Sequence, residues 1–240
     1  MKKKSIEDYK YISYECGDDI EVVFFTAENG LTFNRRTEKG QENLNKIKKW
    51  FNVEKIVYLN QIHSAIVHIF ENNKEVINSE GDGIITSNTN TAIGVFTADC
   101  VPVILVDKAK RIISAVHSGW RGTYDNIVGK TVNMMKETYN CNPEEMKIYI
   151  GPHNRECCYE VSEELIHKFN TNPLFKGKIS QGRMLSLEKC IKIELLNENV
   201  KEENINFTRQ CTFCSKDLTF FSYRREEEKE GRMYSFVYMK

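Results

Sequence analysis

Two neighbouring stretches, TADCVPVILVD at residues 97–107 and IISAVHSGWRG at residues 112–122, most constrain the fold of this chain. Both contain runs of consecutive apolar residues instead of the apolar–polar alternation of a half-exposed strand. Such runs indicate strands of a sheet that is covered on both faces. The DKAK link at residues 107–110 is short enough for a hairpin. Cys100 and His117 nevertheless stand at the ends of these strands, where burying a polar group is costly unless something uses it.

The rest of the chain mixes strand and helix patterns without repeats or a low-complexity linker. We therefore expect one α+β domain over residues 1–240, built of mixed β-sheets flanked by helices. Ser186 is the expected N-cap of a helix with a stripe that includes Leu195 and Leu196. Charged residues at 224–232 predict a solvated loop. Strands are expected at 21–27, 55–60, 65–70, 81–87, 91–98, 101–107, 111–117, 146–151, 204–209 and 233–239, and helices at 37–52, 124–139, 160–169 and 186–199.

The charge balance bears on possible partners and location. Lys and Arg number 34, and Asp and Glu also number 34. This balance gives no electrostatic reason to expect nucleic acid or an anionic membrane as a partner. No apolar window reaches the length of a membrane span, and the first residues lack the apolar core of a signal peptide. We expect a soluble, cytoplasmic protein; the pattern does not specify an oligomeric state.

Eight cysteines are expected to be thiols, since no export signal points to an oxidising compartment. Cys157 and Cys158 are adjacent in sequence, and we expect them to be packing or pocket-lining thiols that do not share a metal. Cys211 and Cys214 have the C-x-x-C spacing, but no second such pair completes a zinc knuckle. We interpret that pair as structural or incidental.

The combination of His63, Cys100 and His117 points to chemistry. Their sequence separations match no compact zinc finger, yet neighbouring strand ends can bring them together. Two imidazoles and a thiolate suit zinc, and three protein ligands leave a position open for water or substrate. The alternative is that each residue is a satisfied core side chain, which is ordinary for a buried cysteine. A single His₂Cys set also suits one copper ion, but five histidines cannot supply a multicopper cluster.

A second candidate feature is the turn HSGWRGTYDN, where Gly119 and Gly122 flank Arg121 between a strand and a helix. Backbone N–H groups at the start of a helix bind anions, and Arg121 would add two donors. The alternative is a tight turn that simply needs glycine. Asp99 could orient a ligand, act as a base or cap a turn. GDGII, at residues 81–85, could be a functional turn, but the interpretation as a hairpin entry is favoured.

Taken together, NQIHS, GDGIIT, TADCVPVILVD, AVHSGWRGT, IGP…CCYEV and FFSYRR resemble the multicopper-polyphenol-oxidase-like, or laccase-domain, family, which includes the YlmD, YfiH and FAMIN proteins. The resemblance implies a YfiH-like fold similar to the catalytic domain of cytotoxic necrotizing factor. It also implies a zinc site at His63, Cys100 and His117. The implied activity is phosphorolysis of purine nucleosides, with adenosine deamination and methylthioadenosine cleavage in some members, and peptidoglycan-precursor editing in others.

These features lead to one principal hypothesis, a zinc-dependent purine nucleoside phosphorylase. Phosphate would bind at Gly119 and Gly122 with help from Arg121, and Arg36 is a further candidate. Asp99 would carry a proton if the same zinc site deaminates adenosine. One alternative is a cysteine hydrolase or amidase that acts on peptidoglycan precursors, with Cys100 as nucleophile and His117 as base. Another is an interaction module stabilised by zinc.

Overall fold

The computed structural model describes residues 1–71, 76–175, 179–226 and 230–240. Secondary structure within these ranges follows the mixed pattern expected from the sequence. The strands are β1 (Lys2–Ile6), β2 (Tyr9–Glu15), β3 (Ile20–Phe25), β4 (Lys55–Val57), β5 (Val67–Ile69), β6 (Gly83–Thr86), β7 (Thr91–Thr97), β8 (Val101–Asp107), β9 (Ile112–Ser118), β10 (Lys147–Ile150), β11 (Ser180–Gln181), β12 (Met184–Leu185), β13 (Ile205–Phe207) and β14 (Met233–Met239). The helices are α1 (Glu38–Phe51), α2 (Trp120–Tyr124), α3 (Ile127–Tyr139), α4 (Glu163–Thr171) and α5 (Leu187–Asn197).

Two six-stranded sheets dominate the described residues. The first has the strand order β1-β2-β3-β14-β7-β4, and the second has the order β13-β10-β8-β9-β6-β5. Most neighbours are antiparallel, but β4–β7, β5–β6 and β10–β13 are parallel. The predicted hairpin is confirmed, because β8 pairs with β9 antiparallel and Pro102 lies opposite His117. The prediction of mixed sheets flanked by helices is confirmed.

The two sheets pack face to face, and helices cover their outer faces. Alternate residues of one strand therefore enter different cores. In β8, Ile104 and Val106 pack between the sheets, whereas Val103 and Leu105 face α3 and α5. In β3, Phe24 enters the core between the sheets and Phe25 packs against α1. Burial on both faces explains why these strands are apolar at consecutive positions.

Helix ends follow capping chemistry. The side chains of Thr37, Ser162 and Ser186 accept hydrogen bonds from the first turns of α1, α4 and α5, and the predicted N-cap at Ser186 is thereby confirmed. The helix expected at 124–139 is divided, because Asn126 adopts a left-handed conformation (φ 60°) between α2 and α3. No helix among the described residues has the length and apolar character needed to cross a bilayer.

Several features of the structure differ from the expectations. The hairpin of β1 and β2 extends the first sheet at its edge and was not predicted. Leu196 was expected on the apolar stripe of α5, but its side chain is exposed. Residues 227–229 of the predicted charged loop lie outside the described residues.

Adjacent leucines on α5 offer a matched test of this packing. Leu195 is 0% exposed and Leu196 is 41% exposed. Leu195→Ala should lower the free energy of unfolding by about 2–5 kcal/mol, because it leaves a cavity under the second sheet. Leu196→Ala should change it by less than about 0.5 kcal/mol. Urea unfolding of both variants measures the difference, and equal losses would contradict the assigned orientation of α5.

Candidate active site

Three of the predicted site residues converge at one end of β8 and β9, the two central strands of the second sheet. His63 lies in the loop between β4 and β5, Cys100 directly precedes β8, and His117 is the penultimate residue of β9. Their potential ligand atoms lie within 4.8 Å of one another. The two imidazole rings are 4.8 Å apart between centroids and nearly perpendicular. The antiparallel pairing of β8 and β9 explains how residues 17 positions apart meet.

Asp82, which is buried just before β6, holds this arrangement together. Its Oδ1 lies 2.8 Å from His117 Nδ1 and accepts a hydrogen bond from the His63 backbone N–H at 3.1 Å. Its Oδ2 accepts bonds from the Ser64 backbone N–H and hydroxyl at 2.6 and 2.7 Å. His63 itself has a φ of 61°, a left-handed conformation that is uncommon for a residue other than glycine. The Asp82 carboxylate therefore fixes both the loop that carries His63 and the ring of His117.

Cys100 and His117 form a thiolate–imidazolium pair. Burial raises the pKa of the Cys100 thiol, but His117 and His63 oppose it and bring that pKa down to about 6. Burial lowers the pKa of His117, whereas Cys100 and Asp82 raise it to about 9. Burial also raises the pKa of Asp82, yet its bonds to His117 and Ser64 hold it below its ordinary value. The site thus keeps a thiolate at neutral pH.

This donor set fits a metal ion. Because Asp82 occupies Nδ1 of His117, the Nε2 atom remains for a ligand bond, as is usual for metal-binding histidines. Cys100 is already biased to the thiolate form that a metal requires. Gly119 lies against the triad, since a Cβ atom there would come within 3.1 Å of Cys100 Sγ and 3.0 Å of His63 Cδ2. His63, Cys100 and His117 can therefore hold one metal ion.

The triad opens into a cavity of about 680 Å³. Its walls combine aromatic rings with guanidinium groups. The lining residues are Asn34, Arg35, Arg36, Thr37, Gln61, His63, Phe96, Thr97, Ala98, Asp99, Cys100, His117, Trp120, Tyr159, Tyr223, Arg224, Glu230 and Arg232.

Three arginines approach one another on one side of this cavity. Burial lowers the pKa of Arg35, and the charge of Arg36 lowers it further. Burial likewise lowers the pKa of Arg232, which lies close enough to feel the charges of both Cys100 and Arg36. Arg35 is held by the carbonyl oxygen of Leu59 and by the side chain of Asn60. Like charges that converge at a partly buried wall form a site suited to an anion.

The other predicted site residues lie around this cavity in different ways. Gly122 packs beneath the backbone of Ser64, where a Cβ atom would come within 2.9 Å of its oxygen. The Arg121 guanidinium is exposed, stacks 4.5 Å from the Trp120 ring and does not line the cavity. Arg36 does line it. The Gly119–Gly122 turn thus approaches the triad with its backbone, while the arginine assigned to it points elsewhere.

Asp99 lines the cavity, but its carboxylate is engaged by other loops. Oδ1 accepts a bond from the Thr212 hydroxyl at 2.6 Å, and Oδ2 accepts one from the Arg224 backbone N–H at 2.8 Å. Its φ of 92° places the side chain in this direction just before Cys100. Asp99 therefore joins the two loops that close this side of the cavity.

Several functional residues were missed. The interpretation of residues 81–85 as a hairpin entry was wrong, because β6 pairs with β5 and β9 and Asp82 supports the triad. An aspartate between two glycines, directly before an apolar strand pattern, was the signal available in the sequence. No local sequence pattern marked three further lining residues, because only the tertiary fold brings them to the cavity; these are Arg35, Tyr159 and Arg232.

Cys157 and Cys158, which we expected to be packing or pocket-lining thiols that do not share a metal, lie in a group of four cysteines. The structure brings them together with Cys211 and Cys214, and the four sulfur atoms lie within 4.8 Å of one another. We refer to these four residues as the cysteine cluster. None of the eight cysteines forms a disulfide.

The thiolate character of Cys100 gives a pH prediction for metal-free protein. Iodoacetamide reacts with thiolates. The rate of Cys100 alkylation should therefore increase with pH, with a midpoint near the pKa of about 6, and should be low at more acidic pH. Cys157 is an internal comparison: it is exposed, but burial and neighbouring sulfurs raise its pKa to about 11, and it should react slowly up to pH 8. Peptide mass spectrometry measures both rates. A Cys100 midpoint near the ordinary value of about 8.5 would contradict the ion pair.

Comparisons with known proteins agree with this geometry. The chain is 44% identical to a purine nucleoside phosphorylase of Clostridium acetobutylicum over the full length of both chains. It is 32% identical to a purine nucleoside phosphorylase of Borreliella burgdorferi, covering 95% of this chain and 96% of that one. The crystal structure of the Bacillus licheniformis protein YfiH superposes with a TM-score of 0.83 at 26% identity, covering 92% and 93% of the two chains. The predicted YfiH-like fold is confirmed.

The family model described as multi-copper polyphenol oxidoreductase laccase matches residues 21–240. This range includes the triad, Asp82 and every residue of the cavity wall. The chain belongs to the multi-copper polyphenol oxidoreductase laccase family.

Proposed function

We propose that this protein is a zinc-dependent purine nucleoside phosphorylase, with residues 1–240 acting as one catalytic unit. It would convert a purine nucleoside and phosphate into the free base and the sugar 1-phosphate. The names of the Clostridium acetobutylicum and Borreliella burgdorferi relatives support the reaction class. The observation that carries the proposal is the arginine wall beside the triad, because phosphorolysis needs an anion site next to the reacting sugar.

Arg36 is the centre of the proposed phosphate site. Its guanidinium makes no ion pair with a carboxylate among the described residues, although it lines the cavity. Its charge acts on both Arg35 and Arg232. A phosphate bound here would relieve this repulsion and accept charge-assisted hydrogen bonds. We assign phosphate binding to Arg36 with Arg232, and the exposed Arg121 contributes at most from outside the cavity.

The aromatic side chains supply a site for the nucleoside. Phe96, Trp120 and Tyr159 line the same cavity as the arginines. Flat apolar rings suit a purine, which stacks on aromatic faces. Burial and the charge of Cys100 raise the pKa of Tyr159 to about 12, so its hydroxyl stays protonated and can donate to a purine nitrogen. The Arg224 guanidinium stacks 4.5 Å from the Tyr159 ring and supports its position.

His63, Cys100 and His117 would hold the zinc ion. When bound, zinc supplies a Lewis acid that polarises an oxygen or nitrogen atom or activates water. Asp82 orients His117 and the His63 loop for this role. Arg36 and Arg232 would hold the phosphate oxygen that attacks C1′ of the sugar while the bond to the purine nitrogen breaks. The departing base would take its proton from solvent, while the Tyr159 hydroxyl stays protonated and serves as a hydrogen-bond donor to the purine.

The Cys100–His117 ion pair specifically favours one alternative, a cysteine hydrolase or amidase. A thiolate beside an imidazolium is the resting state of such a nucleophile. Metal content separates the two, because a zinc-bound thiolate is not a free nucleophile. Adenosine deamination, with Asp99 as proton carrier, methylthioadenosine cleavage, and a non-enzymatic module stabilised by zinc stay predictions.

The first experiment incubates metal-quantified protein with inosine or adenosine, with and without phosphate. We expect free base and ribose 1-phosphate only when phosphate is present, measured by chromatography. Inosine formed from adenosine without phosphate would show deamination. Cys100→Ala should remove triad zinc and phosphorolysis together, because one ligand is lost. Full phosphorolysis by this variant without zinc at the triad would contradict the zinc mechanism, and no turnover by zinc-loaded wild type would favour the hydrolase alternative.

A second prediction separates the two candidate phosphate sites. Arg36→Ala should raise the KM for phosphate by about 10- to 100-fold, as expected for losing a charged hydrogen-bond donor worth about 1.5–3 kcal/mol. The KM for the nucleoside should change little. Arg121→Ala is the matched comparison, since its guanidinium stacks on Trp120 outside the lining. The opposite ranking of the two variants would place phosphate at the Gly119–Gly122 turn.

A further inference from the structure

The cysteine cluster joins two loops that are far apart in sequence. Cys157 and Cys158 lie in the turn that follows β10, and Cys211 and Cys214 lie in the loop that follows β13. Cys157 and Cys214 are exposed, Cys158 is half-buried and Cys211 is buried. An ion could therefore enter the cluster from solvent. None of these four residues lines the cavity beside the triad.

The spacing of the four sulfur atoms matches a tetrahedral metal site. Zinc–sulfur bonds of about 2.3 Å in a tetrahedron place the sulfurs about 3.8 Å apart. The Cys157 and Cys214 sulfurs are 3.6 Å apart, and all four lie within 4.8 Å. Four thiolates select zinc or iron over the hard cations that prefer oxygen. C-x-x-C at residues 211–214 is the spacing used by zinc knuckles.

Backbone groups also favour a thiolate at the centre of the cluster. The Cys211 sulfur accepts hydrogen bonds from the backbone N–H groups of Arg155, Phe213 and Cys214. Such N–H donors around a ligand sulfur orient it and stabilise its negative charge. The two donors from the C-x-x-C loop and the one from the other turn converge on a single sulfur.

The cluster is connected to the wall of the active site. Thr212, between the two cysteines of the loop, donates its hydroxyl to Asp99. Asn154, just before the turn, donates its backbone N–H to the Asp99 carbonyl at 2.9 Å. The Arg225 guanidinium holds the carbonyls of Thr212 and Phe213 at 2.9 and 3.0 Å. A link between the two cysteine-bearing segments would thus fix the residue next to Cys100.

We propose that Cys157, Cys158, Cys211 and Cys214 bind a second zinc ion in a closed, structural site. Four protein ligands leave no position for substrate, unlike the three-residue triad. The ion ties the turn at 155–158 to the loop at 211–215 and holds the Asp99 side of the cavity in place.

Metal analysis of protein purified without oxygen or chelator tests this. Wild type should contain about two zinc ions per chain by native mass spectrometry. The variant His63→Ala/Cys100→Ala/His117→Ala should retain about one, and adding Cys211→Ser/Cys214→Ser should remove it. Cys141→Ser is the matched control, a buried cysteine outside both sites, and should keep both ions. A folded triad variant without zinc would overturn the proposal.

Spectroscopy keeps the test decisive if the serine variant does not fold. Zinc X-ray absorption of the triad variant should show four sulfur ligands at about 2.3 Å. Nitrogen or oxygen ligands, or iron in place of zinc, would overturn the assignment. After denaturation of wild type with a chelator, all eight cysteines should titrate as thiols. Fewer than eight would reveal a disulfide in the cluster and would also overturn it.

Discussion

The buried Asp82 carboxylate is the contact on which the candidate active site depends. It accepts hydrogen bonds from the strained His63 loop and fixes the ring of His117. A buried carboxylate without partners would be costly, so the loop and the histidine stabilise it in return. Because these bonds involve only protein groups, the ring of His117 and the loop that carries His63 are positioned before a metal binds. Cys100, which directly precedes β8, completes the triad.

The layered architecture explains why this chemistry sits at strand ends. β8 and β9 are covered by helices on one face and by the first sheet on the other, so their middles have no access to solvent. Only their ends meet loops that can form a cavity. The loops that meet Cys100 are tied to one another through Asp99, which receives bonds from Thr212 and from the Arg224 backbone. The triad and the cysteine cluster thus share one structural link.

The sequence predicts the parts of this structure that depend on local pattern. β8 was placed at its observed bounds because its apolar run has clear ends. The β1–β2 hairpin was not predicted, because charged residues interrupt its apolar pattern at the sheet edge. The sequence did not predict the role of Asp82 or the grouping of the cysteine cluster, because both depend on tertiary contacts. Cys157 and Cys214, for example, are 57 positions apart. The residue types pointed to the triad, but the fold is needed to show that Arg35 and Arg232 line the cavity beside it.

The number and placement of the histidines show whether this chain could carry out the copper oxidation chemistry that the family description names. A multicopper oxidase needs a histidine-rich cluster beyond its first copper site, and this chain has five histidines. His63 and His117 belong to the triad. His68 is bonded to the Glu80 carbonyl and His153 to that of Gly151, and neither they nor His167 joins a group of three possible ligands among the described residues. The triad supplies ligands for one ion, and the described residues do not supply the further histidine ligands that a multicopper cluster requires.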